Sequence, residues 1–303
     1  VSGTIRLDPA AVRRTLRDAG LAARRSMSQN FLADVEVLEA ILAEAGPVPG
    51  RRILEIGPGL GVLTGALLEA GAAVTAIELD SGLAARLRRV LADPIDLAAG
   101  DPSAAGGLRL IEGDALDVDL AAVVSPPYDV VANLPYHVTS PILHRLLGAP
   151  PRPERSVLML QREVAERIAA QPGEMSYLAV FVRYHAAVRI VRLVAPDSFE
   201  PAPEVWSAVV AVEPPGEGAD AGLSAHDEDD LWRVVQAGFR ERRKKLRNVL
   251  ARQMPMDQRA LIGILESVGI DPDRRPQTLS VGEWIALRGA LREEPRSQRQ
   301  VDR

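Results

Sequence analysis

The sequence predicts an α/β domain built on a parallel, Rossmann-like sheet, followed by a small all-helical domain. Three observations predict it. Apolar strand-length runs alternate with helical patterns from Arg52 to Leu91, which is the order of a parallel sheet with crossover helices. A glycine turn, Gly57-Pro58-Gly59-Leu60-Gly61, joins the first of those strands to its helix. Beyond a stretch at 213–230 rich in Pro, Gly and acids, residues 231–292 carry only helical periodicity.

Element by element, residues 9–24 place Val12, Leu16 and Ala19 on one face with Arg between, the pattern of a basic amphipathic helix. Val35 to Ala45 repeats the helical period and stops at Gly46, Pro47 and Pro49. Arg52 to Ile56 reads as a short buried strand, Val62 to Ala70 as the helix after the glycine turn, and Ala73 to Leu79 as the second strand. An Arg-rich helix follows from Ser81 to Leu91, then a turn-rich segment at 92–107 that reads as a mobile surface loop. Strands recur at Leu108 to Glu112, Asp129 to Ala132, Val157 to Leu160 and Val205 to Val212, with helices near Ser140 to Leu147 and Arg162 to Ala170. The domains are therefore expected at 1–213 and 231–303, with a linker at 214–230.

With 47% apolar and 25% charged residues among 303, the composition excludes a disordered or collagen-like chain. There is no Cys, which removes disulfides, thiolate catalysis and Cys-ligated metals. No run approaches the ~18 apolar residues of a membrane span and no leader pattern opens the sequence, so it reads as a soluble intracellular protein.

A net charge of −5 taken alone argues against a nucleic-acid partner. Its distribution argues otherwise. Residues 1–30 hold six Arg against two Asp, residues 232–303 hold sixteen Lys and Arg against nine acids, and the body between holds fourteen against thirty. Basic ends around an acidic body suggest that the ends touch a polyanion, although charged ends are also common without one. Arg240, Arg242, Arg243, Lys244, Lys245 and Arg247 place six basic residues within eight positions, and Glu241 is the one acid among them. That density favours phosphate contact over a merely solvated helix.

The glycine turn lets a ligand approach the backbone, and the following helix offers free N–H groups. A dinucleotide fingerprint would need a third Gly where Val62 stands. The observed Gly-x-Gly-x-Gly resembles the first motif of S-adenosylmethionine-dependent methyltransferases, and by itself it also fits a plain tight turn. Glu78 ends the second strand beside that turn, where a carboxylate can accept both hydroxyls of an adenosine ribose. Asp114 ends the third strand at the same edge and can accept from an adenine amino group. The four His are scattered without a metal-ligand pair, and no P-loop lysine motif is present.

The most specific motif is Asn133-Leu134-Pro135-Tyr136 at the end of the fourth strand. It resembles the tetrad of amino-directed methyltransferases, and its composition has a chemical reason. An adenine N6 lone pair is delocalised into the ring; an Asn oxygen and a main-chain carbonyl that accept its hydrogens aim the lone pair at a methyl donor, while Tyr stacks on the extruded base.

Ser28-Gln29-Asn30-Phe31-Leu32-Ala33-Asp34, the glycine motif, the tetrad, Gln161 to Arg167, Phe199-Glu200-Pro201-Ala202-Pro203 and Phe239 to Asn248 follow one another in the order of the ribosomal RNA adenine dimethyltransferase family. The chain resembles its small-subunit branch. The resemblance implies S-adenosylmethionine as cofactor, bound by Asn30, Leu32, Gly57, Gly59, Glu78, Asp114 and Asn133. It implies that Asn133, Pro135 and Tyr136 hold the target adenine, with Phe199 on its other face, and that the basic run binds RNA. It further implies two methyls on each of two neighbouring adenines in a hairpin near the 3′ end of small-subunit RNA, in a 30S assembly intermediate, by a cytoplasmic monomer without metal or membrane. Three positions depart from the family pattern: Met27-Ser28 replaces Leu-Gly, the segment Pro172 to Tyr177 is short, and Glu204 stands where a Lys is usual.

Overall fold

The computed structural model describes residues 7–24, 27, 29–91, 107–214 and 223–293. Most of the expected loop at 92–107, the core of the expected linker, and Ser28 lie outside the described residues. In chain order the elements are α1 (Pro9–Asp18), β1 (Phe31–Leu32), α2 (Val35–Ala45), β2 (Arg52–Ile56), α3 (Val62–Glu69), β3 (Ala73–Glu78), α4 (Ser81–Val90), β4 (Leu108–Glu112), α5 (Leu120–Val123), β5 (Asp129–Asn133), α6 (Thr139–Gly148), β6 (Arg155–Gln161), α7 (Arg162–Ala169), α8 (Tyr177–His185), β7 (Ala187–Val194), β8 (Phe199–Glu200), β9 (Ser207–Glu213), α9 (Ala225–Phe239), α10 (Leu246–Gln253), α11 (Gln258–Ser267) and α12 (Val281–Glu293). They form two compact units, Val1–Glu166 with Ala186–Pro214, and Arg167–His185 with Pro215–Arg303.

In the first unit the sheet runs β4-β3-β2-β5-β6-β9-β7 among the described residues. β2 to β6 are mutually parallel, and β9 is antiparallel to both β6 and β7. From β2 the chain builds outward through β3 and β4, then returns to add β5 on the other side of β2. That reversal makes the crevice between the ends of β2 and β5 a topological switch point, where open α/β sheets bind ligands. Helix starts are set locally: Asp8, Asp34, Asp80 and Asp119 each accept backbone N–H groups at the head of α1, α2, α4 and α5. Gly46 ends α2 in the left-handed conformation that its missing Cβ permits. Strands β2 and β3 are covered on both faces, which is why they read as continuous apolar runs.

Strand β7 is absent from the sequence reading because a register shift between Ile190 and Arg192 breaks its alternation. The two-residue strands β1 and β8, paired as Phe31↔Glu200 and Leu32↔Phe199, are too short to carry a period. Helix α6 starts at Thr139, one residue before the expected Ser140, after a 3-10 turn over Tyr136–Val138.

The second unit corrects the expected domain limits. α9 begins at Ala225, inside the expected linker, with the Ser224 hydroxyl capping the Asp227 N–H. Asp227 and Glu228, read as linker acids, occupy a first turn that favours negative charge, and Asp227 pairs with Arg288 and Arg292 of α12. The unit also recruits α8, whose Ala179, Val180 and Tyr184 join Leu231, Val235, Leu250, Leu261, Leu265 and Trp284 in one apolar core.

The basic run is corrected too. Arg240 to Lys245 form a turn, not a helix, and only Arg247 sits on α10. Residues 240–245 contain no apolar side chain that a helix could bury, whereas Leu246, fully buried, turns the chain back into the core. Lys245 and Arg247 both pair with Asp273, and Arg242 donates to the Glu174 carbonyl. Arg240, Arg243 and Lys244 are exposed.

Candidate active site

At the C-terminal ends of β2, β3 and β5 an open cavity is lined by the glycine turn, Glu78, Asp114, the tetrad and the segment before β1. Every residue assigned above to the cofactor, namely Asn30, Leu32, Gly57, Gly59, Glu78, Asp114 and Asn133, lines this one cavity, as do Pro135 and Tyr136.

The glycine turn is shaped by backbone that other residues rarely adopt. Gly57, Gly59 and Gly61 have φ of +71°, +59° and +81°. A Cβ on Gly59 would lie 3.2 Å from the Phe31 ring, and one on Gly61 would lie 2.5 Å from Leu87. The turn therefore keeps its close approach only as glycine. Arg86, itself buried on α4, donates to the Leu60 carbonyl at 2.7 Å and ties the turn to the next helix.

Glu78 is 5% exposed, and its two oxygens accept the Gly59 and Asp80 N–H groups, each at 2.9 Å. A carboxylate has about four lone-pair positions, which leaves acceptor capacity for a ligand in the cavity. Burial raises the Glu78 pKa, against backbone hydrogen bonds from Asp80, Gly59 and Leu79. Asp114 spends Oδ1 on the Leu116 N–H at 2.8 Å.

Asn133 donates from Nδ2 to the Asn30 carbonyl at 3.4 Å. That contact joins β5 to the N-terminal segment and sets the amide so that Oδ1 is the acceptor left for a substrate. Tyr136 is tied through its hydroxyl to Ser207 Oγ at 2.7 Å, and burial raises its pKa.

Phe199 is placed differently from expectation. It is 2% exposed, pairs with Leu32 in the β1–β8 ladder and packs in the sheet core with Ile41 and Val209. Phe199 is not among the residues that line the cavity, although its ladder partner Leu32 is.

Sequence reasoning passed over three groups at the site. Glu55, on β2, lines the cavity and is 1% exposed; burial pushes its carboxyl up to about 8, with Thr64 opposing and the Glu78 charge adding. Glu55 Oε2 and the Thr64 hydroxyl nonetheless both lack a partner at hydrogen-bonding geometry. Asp80 receives Arg24 at 3.2 Å and Gln29 at 3.4 Å, which brings the N-terminal segment over the cavity. Ser207 is visible only through its bond to Tyr136. An acid four residues before Gly59, in the Glu-x-Gly-x-Gly spacing, was the available signal for Glu55; no local signal marks Ser207.

A turn whose three glycines hold positive φ, a buried carboxylate with spare acceptor capacity beside it, and an amide acceptor at the adjoining strand end fit an adenosyl sulfonium and an amino-group acceptor. Fold and site together define an S-adenosylmethionine-dependent methyltransferase. Within that class the comparisons are specific. The model of the ribosomal RNA adenine dimethylase family matches residues 20–287. A ribosomal RNA small subunit methyltransferase A from Geobacter sulfurreducens is 42% identical over 285 residues, 91% of this chain and 98% of the relative. A dimethyladenosine transferase from Plasmodium falciparum superposes with a TM-score of 0.68 at 26% identity, over 85% of this chain and 95% of that one. The 23S rRNA methyltransferase ErmE gives a TM-score of 0.65 at 25% identity, over 87% of this chain and all of that one. The chain belongs to the ribosomal RNA adenine dimethylase family.

Proposed function

We propose that this protein methylates N6 of two adjacent adenines in a hairpin near the 3′ end of small-subunit ribosomal RNA, acting as a cytoplasmic monomer on a 30S assembly intermediate. The observation that carries the chemistry is the Asn133 amide, oriented by the Asn30 carbonyl with Oδ1 left as an acceptor next to the glycine turn. The relative named for the small subunit, at 42% identity against 25% for ErmE, supports the choice of RNA.

Bound S-adenosylmethionine supplies a methyl on a sulfonium that leaves as a neutral thioether. Glu78 and Asp114 offer the acceptors for its ribose hydroxyls and adenine amino group, and the positive-φ glycines keep the approach open. Asn133 Oδ1 accepts one N6 hydrogen of the target, which favours a lone pair directed at the methyl carbon. The charge that develops on nitrogen as the N–C bond forms is met by that dipole until the proton passes to solvent. Tyr136, its hydroxyl held by Ser207, presents its ring to the base. Arg240, Arg243 and Lys244 are the cations of the basic turn left for RNA phosphates.

The test is methyl transfer to under-methylated 30S particles with mapping of the product, beside protein-free large-subunit RNA. Dimethylation of adjacent adenines in the particles is expected, and Asn133→Ala should lower kcat by about 10²–10³ at saturating S-adenosylmethionine. Transfer to large-subunit RNA alone, or full activity of Asn133→Ala, would overturn the proposal.

A further inference from the structure

We propose that Trp206 is a stacking platform for an unpaired base of the RNA strand next to the adenine held at Asn133 and Tyr136. The inference rests on the ribosomal RNA reading above and extends the substrate site beyond the tetrad.

Of the three Trp, Trp284 is fully buried and Trp232 packs among Tyr177, Phe181 and Tyr184 in the helical unit. Trp206 is different: it is 47% exposed, beside Val205 at 44%. A half-exposed indole next to an exposed Val leaves apolar surface open to a ligand, so its position matters.

That position is on the sheet edge that carries the tetrad. Trp206 precedes Ser207, whose Oγ holds the Tyr136 hydroxyl, so the exposed ring and the base-holding ring are linked through one residue. β9 begins at the same edge where β5 and β6 end, two strands from the tetrad, roughly 10 Å by ordinary strand spacing. The backbone at Trp206 is fixed, since its carbonyl accepts the Arg162 N–H at 2.9 Å and the ladder to β6 starts at the next residue. An aromatic on a fixed edge can hold a ring in place without an ordering cost of its own.

Chemistry selects the occupant. Glu204, exposed two residues away, disfavours a phosphate here, so the contact is with a base face and not with the backbone. An enzyme that takes one base out of a hairpin leaves its neighbours unstacked, and an indole restores that stacking for any base.

The experiment compares the full-length protein with its W206F and W206A variants on under-methylated 30S particles. W206A should raise KM for the particles by about 5- to 150-fold, with W206F intermediate, kcat and S-adenosylmethionine affinity unchanged, and the ratio to wild type equal at low and high salt. Independently, a single-stranded adenosine hexanucleotide should quench emission in the wild type and not in W206F. Wild-type KM in an active W206A, or equal quenching of wild type and W206F, overturns the inference. If W206A fails to bind S-adenosylmethionine, the quenching comparison decides alone. Failure of the wild type to methylate the particles would instead count against the functional reading, and the hexanucleotide result would still report on Trp206.

Discussion

Replacing Glu55 with Gln isolates the effect of one buried carboxyl on stability. In the folded protein Glu55 is 1% exposed and burial pushes its pKa to about 8, from 4.5 in the unfolded chain. Between those values the folded state holds a proton that the unfolded state has released. Stability contributed by the neutral carboxyl is therefore fully present below pH 4.5 and is lost as pH rises through 8. At 1.36 kcal/mol per pH unit the whole span corresponds to about 5 kcal/mol, of which about 3 kcal/mol falls between pH 5.5 and 8.5. Gln keeps the shape and cannot titrate. Urea unfolding of the ligand-free protein across that range, following the transition of the α/β unit, should show wild type losing about 3 kcal/mol more than Glu55→Gln. Groups that do not interact with Glu55 cancel in the difference, and the coupling of Glu78 to Glu55 is part of what it reads. Parallel curves would mean that Glu55 titrates near its ordinary value and that the burial argument is wrong.

Two further outcomes follow from packing and charge. Gly238→Ala places a Cβ 2.5 Å from Trp284 Cη2 in the helical core, so the helical unit should lose about 1–3 kcal/mol in urea unfolding while S-adenosylmethionine affinity stays unchanged. Replacing Arg240, Arg243 and Lys244 together by Ala should flatten the salt dependence of binding to 30S particles by up to about two to three phosphate equivalents. Replacing the Asp273-paired Lys245 and Arg247 should change it less, as titration of affinity against salt would show.

The cofactor half of the site was legible because its chemistry is local. A glycine turn between a strand and a helix, an acid ending the next strand and the Asn-Leu-Pro-Tyr tetrad each need a fixed run of a few residues, and a short window shows them. The burial of Phe199 was not legible because its neighbours in sequence say nothing of its ladder partner Leu32 or of Ile41 and Val209, which pack with it. The basic run was misread as helix because density of charge resembles a solvated helical face, and only the burial of Leu246 after it shows that the chain turns. Helix α8 was missed because its apolar face is completed by residues some 50 positions or more away, Leu231 and Trp284 among them.

The sequence by itself determined the alternation of parallel strands and helices, the glycine turn, the residues that gather around one cavity and the two basic ends. These depend on periodicity and turn chemistry, which act over a few residues. Tertiary structure alone decided that Asn133 is oriented by Asn30, that Ser207 holds Tyr136, that Glu55 is a buried acid with a raised pKa and that Trp206 stands exposed just before β9. Each of those properties is set by which distant strands lie side by side at the sheet edge, and by how much water the packing leaves.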